Sequence, residues 1–343
     1  MRKERLAILL LIPGLLVAML AGCGGKQSQS EKSAGVQAKT IRIAVAMQQS
    51  YSPYKDVEKI AARINEQSKG ALKVEIYPGG SLYKDQDAVE AVSSGAVEMT
   101  SVPCFWVGRT VPLIRLFELP GIFNNPETVY KVMDGEPGNR MRQQAESKGL
   151  TILGFSDIWM DWVGFATKKP VYVPGDLKGM KLRASSPSDA RVMQAAGAIP
   201  VSLSGGELYM ALQRGTIDGA VASTCQVVER KLYEITNYLN DIKIGYVTYP
   251  VMINKKFFDS LSPDLQKLVA DTVEQVCKEG RGQGPAELKG WAEDAKGKGV
   301  TLIKPTPQQY AEWQKIYEKT YAEAYKEVPE LKELVTEVKK LEG

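Results

Sequence analysis

The sequence predicts an α/β protein made of two similar lobes with a ligand cleft between them. Three observations carry this. From Thr40 onward, β-rich runs alternate with amphipathic helices. The pattern of residues 91–98, Ala-Val-x-x-Gly-x-Val-Glu, returns at residues 211–218 as Ala-Leu-x-x-Gly-x-Ile-Asp. The stretch 176–219 places an arginine, Arg183, at a strand end just before a capped helix. A cation there, beside a helix N-terminus, suits an anionic ligand.

The chain opens with a basic MRKER and an apolar run over residues 6–20, interrupted by Pro13 and Gly14. Such a run is too short for a comfortable membrane span and reads as a signal peptide, residues 1–22. It ends in Leu20-Ala21-Gly22-Cys23, the form of a lipobox, so Cys23 is the expected lipidation site. Residues 23–39 are polar and of low complexity, as a flexible tether would be. The expected location is extracytoplasmic, with the N-terminal lipid in a membrane, on the outer face of the cell membrane or in the periplasm.

Ile41 to Val45 alternates as a first strand, and residues 53–68 follow as a helix with Val57, Ile60, Ala61 and Ile64 on one face. Leu72, Val74 and Ile76 mark a second strand, closed by Tyr77-Pro78-Gly79-Gly80. A helix over 85–94 ends at Gly95, and a third strand runs over 97–102. This β-α-β-α-β run implies a mostly parallel sheet. The second run, from LKGMKLR through a helix, AIPV, a second helix and TIDG, repeats it, and Ser204-Gly205-Gly206-Glu207 reads as a capping box for that second helix. The expected division is lobe I over 40–160 with a return segment near 247–261, lobe II over 161–246, and C-terminal helices over 262–343. Ser262-Pro263 starts a helix that Gly280-Arg281-Gly282-Gln283-Gly284-Pro285 should break or kink. From Pro307 a long helix carries Trp313, Tyr317, Tyr321 and Tyr325.

Ligands of open parallel sheets bind beyond the carboxyl ends of the strands. The cleft should therefore be built from residues 47–51, 103–106, 183–186 and 223–226. The net charge of +4 is small and its charges are interspersed, which argues against nucleic acid as a partner. The chain has no histidine, and no acid or cysteine cluster has metal-ligand spacing, so no cofactor or metal is expected. Cys104, Cys225 and Cys277 cannot all pair within one chain, and buried thiols are the expected state.

The segments VEIYPGGSL, DLKGMKLR, ELYMALQRGTIDG and INKKFFDSLSPDLQKLV occur in an order that resembles the solute-binding proteins of tripartite ATP-independent periplasmic (TRAP) transporters. The resemblance covers about residues 40–331. It implies a two-lobed, periplasmic-binding-protein-like (type II) fold with a long C-terminal helix crossing both lobes. It further implies an organic-acid ligand and a permease of small and large membrane subunits as partner. The family's ligand arginine corresponds to Arg183, whose planar fork matches a carboxylate in two parallel hydrogen bonds. Two departures stand out. Trp162 occupies the place of a second family arginine, and Ser223, Thr224 and Gln226 replace a family asparagine.

Phe105, Trp106, Trp159 and Trp162 fall at predicted cleft edges and suit an apolar or aromatic body. With a single arginine, the expected ligand is a monocarboxylate. Tyr51, Ser223, Gln226, Tyr246 and Tyr249 complete the candidate ligand residues. No GxSxG, phosphate loop or supported acid pair is present, so an enzyme is not expected. A solute-sensing lipoprotein that feeds a signalling partner is the alternative to transport.

Overall fold

The computed structural model describes residues 38–49, 51–157, 163–203 and 205–342. Its first half contains β1 (Lys39–Ala44), α1 (Ser52–Gln67), β2 (Leu72–Tyr77), α2 (Asp85–Ser94), β3 (Met99–Ser101), α3 (Cys104–Val107), α4 (Pro126–Asp134), α5 (Glu136–Glu146) and β4 (Leu150–Asp157). Then follow β5 (Gly164–Thr167), β6 (Lys181–Ala184), α6 (Pro187–Ala195), β7 (Ile199–Ser202), α7 (Leu208–Gln213), β8 (Gly219–Ala222), α8 (Thr224–Glu229) and β9 (Tyr238–Asn240). The chain closes with β10 (Thr248–Asn254), α9 (Lys255–Asp259), α10 (Pro263–Gly297), β11 (Thr301–Ile303), α11 (Pro307–Glu327) and α12 (Leu331–Glu342).

Two sheets result, with orders β2-β1-β3-β10-β4 and β7-β6-β8-β5-β9-β11. Read from one edge, the first four positions are equivalent. In each sheet three parallel strands come from one β-α-β-α-β run, and the fourth is antiparallel and arrives from across the molecule. β5 follows β4 out of the first lobe, and β10 returns after β9 to lie between β3 and β4.

The sequence repeat has a structural counterpart. Gly95 (φ +83°) and Gly215 (φ +69°) end α2 and α7 in the left-handed region that favours glycine. Ala96 N–H donates to Ala91 C=O (2.8 Å), and Thr216 N–H donates to Ala211 C=O (2.9 Å), closing the same Schellman-type turn. Val97 and Ile217 are buried behind the turns. The acids also match. Glu98 accepts from Arg42 N–H (2.9 Å) and Asp218 from Lys181 N–H (2.8 Å), each receiving the amide of the adjacent parallel strand.

The apolar stripe of α1 is buried as its spacing predicts: Val57, Ile60, Ala61 and Ile64 pack with Ile41, Ile43 and Val251. In the other lobe Trp313 of α11 is fully buried against Phe165 (ring centroids 6.0 Å apart) and donates its indole N–H to Tyr172 C=O (3.0 Å). Its truncation to alanine would cost about 3–5 kcal/mol. Further along α11, Ala324 joins the first lobe's core. Glu327 at the end of α11 pairs with Arg115, in the helical turn Pro112–Glu118, and with Arg191 of α6, one arginine from each lobe.

Two expectations are corrected. α10 runs for 35 residues straight through Gly280–Pro285 without a break. Val269, Val273 and Val276 pack in the core around α1, and Ala295 packs in a core of the second lobe. Anchors on both lobes outweigh the roughly 3 kcal/mol that an internal proline costs. The C-terminal region is also not wholly helical, because Thr301–Ile303 forms an edge strand against β9. α7 starts at Leu208, and Ser204, its expected cap, lies outside the described residues. Among the described residues no helix is long and apolar enough to cross a membrane.

Candidate functional site

The carboxyl ends of β1, β3, β6 and β8 face one cavity of about 690 Å³. All four predicted cleft segments contribute to its wall, and so do Tyr246, Val247 and Tyr249 from the chain leading into β10. The two lobes offer different chemistry. The first supplies Met47, Tyr51, Pro103, Phe105 and Trp106 together with Lys84, Asp85 and Glu118; the second supplies Arg183 and Arg230 together with Asp189, Glu207 and Glu229.

Arg183 ends up here because β6 pairs with both β7 and β8, which buries its strand and leaves only its tip at the cleft. The residue is 5% exposed. Its Nε donates to Leu203 C=O (3.1 Å) and one terminal nitrogen bonds the Ser185 hydroxyl. Nη2 has no partner among the described residues. Burial lowers its pKa to about 10, helped by the positive charge of Arg230 and opposed by Asp189 and Tyr249. It remains a full cation at neutral pH, held in a poorly hydrated place, the state in which a carboxylate partner gains most.

Asp189 does not compete for that role. Its Oδ2 accepts the backbone N–H of Ser185 (2.8 Å) and Ser186 (3.1 Å), while the Ser186 hydroxyl accepts Asp189 N–H, a reciprocal cap for α6. Ser223 and Gln226 form a similar box on α8: Gln226 N–H donates to Ser223 Oγ (3.4 Å) and Ser223 N–H to Gln226 Oε1 (3.3 Å). Both line the cavity, yet much of their polarity is used to start the helix. Phe105 and Trp106 are half-buried with ring centroids 5.6 Å apart. Tyr246 sits at the wall with its ring among Phe117 and Phe123. Tyr249 is 9% exposed, and burial pushes its phenol above the usual range, so it stays protonated. Trp159 and Trp162 lie outside the described residues. Cys104, Cys225 and Cys277 are buried, and none forms a disulfide among the described residues.

Arg230, Asp85 and Glu118 are among the wall residues that escaped the sequence reading. Arg230 follows Ser223 by seven residues, two helical turns, so it shares a face with Ser223 and Gln226; that spacing could have found it. Asp85, at the start of α2, has its carboxyl raised to about 6 by burial, with Arg230 pulling the other way. Glu118 is 6% exposed, and its Oε2 has no partner among the described residues. Burial raises it to about 8, against the pull of Arg115 and Arg191 and with the push of Asp189. No local pattern marks Glu118, because its burial comes from contacts distant in sequence. Among the described residues no cluster of His, Cys, Asp or Glu could hold a metal ion.

Two α/β lobes joined by exchanged strands, with a cation-bearing cavity between them, define a cleft-type solute-binding protein. The comparisons with known proteins make this specific. The family description "Bacterial extracellular solute-binding protein, family 7" matches residues 43–328. The C4-dicarboxylate-binding periplasmic protein DctP of Rhodobacter capsulatus is 30% identical over 265 residues, 76% of this chain and 79% of that protein. The 2,3-diketo-L-gulonate-binding periplasmic protein YiaO of Escherichia coli is 27% identical, over 71% of this chain and 74% of its own. A TRAP periplasmic solute-binding protein from Sulfurospirillum deleyianum, solved with bound succinate, superposes with a TM-score of 0.78 at 28% identity, covering 88% of this chain and 98% of that one. The chain belongs to the family 7 extracellular solute-binding proteins, the receptors of TRAP transporters. These are extracytoplasmic receptors, not enzymes.

Proposed function

We propose that this receptor binds an organic acid whose carboxylate sits on Arg183 and whose body lies against Tyr51, Phe105, Trp106 and Tyr249. The observation that carries the reading is a buried guanidinium at a strand end of the cavity, with one nitrogen that has no partner among the described residues. The relatives named for C4-dicarboxylates and 2,3-diketo-L-gulonate, and the neighbour holding succinate, support an acid as the ligand class. An apolar or aromatic body follows from the aromatic wall of the first lobe. The expectation of a single carboxylate rests on Arg183 together with the aromatic wall; Arg230 is a further cation lining the same cavity.

Ligand contacts to both lobes favour a closed state, so binding and lobe closure are one equilibrium. The closed, loaded receptor then delivers the acid to the small and large permease subunits. Cys23, outside the described residues, anchors the chain by its lipid. A thermal-shift screen of organic acids followed by calorimetry tests the site. Arg183→Met should weaken the best acid about 30-fold or more, the loss of a charge-assisted pair, with the unfolding temperature of the unliganded protein little changed. An unaltered affinity rejects Arg183 as the anchor. For the anchor, Cys23→Ala should release the protein from membranes; retention there contradicts lipidation.

A further inference from the structure

Arg230 and Tyr51 belong to different lobes yet meet at the cavity wall. The guanidinium of Arg230 lies over the Tyr51 ring, 5.3 Å from its centroid. Each partner is held from its own side. Tyr51 is the N-cap residue of α1 and packs on a core of the first lobe. Arg230 is the C-terminal cap residue of α8, and its Nη1 donates to Gly205 C=O (3.3 Å) in the loop after β7. A Cβ on Gly205 would stand 2.6 Å from Nη1 and 3.0 Å from Nη2, so the glycine leaves the room that the guanidinium fills. α8 starts beside the chain that returns to the first lobe, since Cys225 shares a core with Tyr249 and Val251. Its end lies about 9 Å further along. The contact is thus set off from the crossing segment about which the lobes would turn, and opening must part it.

The wall charges alone do not hold the lobes together. Asp85 of the first lobe lies within the field of Arg230, but Lys84 stands next to it on the same wall and offsets its charge. Glu118, also of the first lobe, keeps most of its proton at neutral pH. Arg183, Asp189, Glu207 and Glu229 are on Arg230's own lobe, so their effect on it is much the same whether the lobes are together or apart. What the second lobe gains only on closing is the aromatic face of Tyr51, which attracts a guanidinium and stacks with its plane. We infer that Arg230 and Tyr51 form a latch across the cleft that favours the closed state without help from a ligand. An acid inside must wait for the latch to part, so its exit is slowed by the factor by which the latch favours closure.

The test uses ligand-free protein, so it stands or falls apart from the role of Arg183. Dyes are placed on Glu90→Cys of α2 and Gln213→Cys of α7, both exposed, while Cys104, Cys225 and Cys277 are buried and stay unlabelled. Single-molecule fluorescence transfer then counts closed and open molecules. Wild-type protein should show a closed population. Arg230→Met and Tyr51→Leu should each lower the ratio of closed to open about threefold or more. The double variant should lose no more than about the larger single loss, because either change alone already breaks the latch. Tyr51→Phe keeps the ring and should behave as wild type. The latch is overturned by a wild-type protein without a closed population, by single losses that multiply in the double variant, or by Tyr51→Phe losing as much as Tyr51→Leu. If Tyr51→Leu does not fold, Arg230→Met decides alone, and an unchanged ratio overturns the inference.

Discussion

Glu118→Gln should stabilise this protein at neutral pH, by an amount set by pH. Glu118 is buried at the junction of the lobes, near the Ser186 hydroxyl, with one carboxyl oxygen lacking a partner among the described residues. Its carboxyl titrates at about 8 in the folded protein, against an ordinary value of 4.5. Below 4.5 the folded and unfolded states are both protonated and the group contributes nothing. Between the two values the unfolded chain ionises while the folded one keeps its proton, so stability falls by about 1.4 kcal/mol per pH unit. Above 8 both are ionised and the loss is constant. At pH 7 the loss amounts to about 3 kcal/mol. Glutamine keeps the shape and cannot ionise; its extra N–H needs a partner and costs about 1 kcal/mol at every pH. The variant should therefore be near wild type or slightly weaker at pH 5 and about 2 kcal/mol more stable at pH 7. Urea unfolding of both proteins at pH 5, 6, 7 and 8 measures this. A stability difference that stays the same from pH 5 to pH 8 would refute the reasoning.

Asp85 titrates at about 6, so lowering the pH from 7.5 to 5.5 removes most of a negative charge from the cavity while an acid with one carboxylate, such as butanoate, stays mostly ionised. Calorimetry should show affinity rising about three- to tenfold over that range, and Asp85→Asn should flatten the rise; a fall in wild-type affinity would contradict the placement of Asp85. Gly205→Ala puts a methyl group 2.6 Å from Arg230 Nη1 and should swing the guanidinium off Tyr51. Because Arg230 lines the cavity, the change should weaken the best acid by about threefold or more in calorimetry, with little effect on unfolding; an unaltered affinity would show that the seat does not matter.

Much of the fold was legible because local rules and tertiary packing agree here. Alternation in residues 41–45 and 72–76, the stripe of α1 and the glycine stops at Gly95 and Gly215 each stand as read. Strand direction then located the cleft, since parallel strands place their carboxyl ends together, and Arg183 followed from its strand position. What escaped was mostly non-local; Arg230 is the exception, since its seven-residue spacing from Ser223 is a local signal. Arg230 reaches the cavity only because α8 starts at a strand end and turns twice. Glu118 is buried by partners such as Ser186 and Asp189 nearly seventy positions away. The continuity of α10 depends on holding two lobes at once, which no local propensity reports. β11 exists because β9 offers it a free edge.

The 35 residues of α10 span about 50 Å, and the helix is fastened to one lobe near its start and to the other further on. Any closure of the cleft must bend this rod or drag it across a lobe. A proline has no N–H to give, so the rod lacks one rung at Pro285, between its two fastenings. It can act as a leaf spring with its compliant point already cut. Pro285→Ala restores the rung and should stiffen the spring, so that acids bind more weakly although no wall residue has changed. Calorimetry on that variant would read the spring directly, and an unchanged affinity would show that closure leaves α10 unbent.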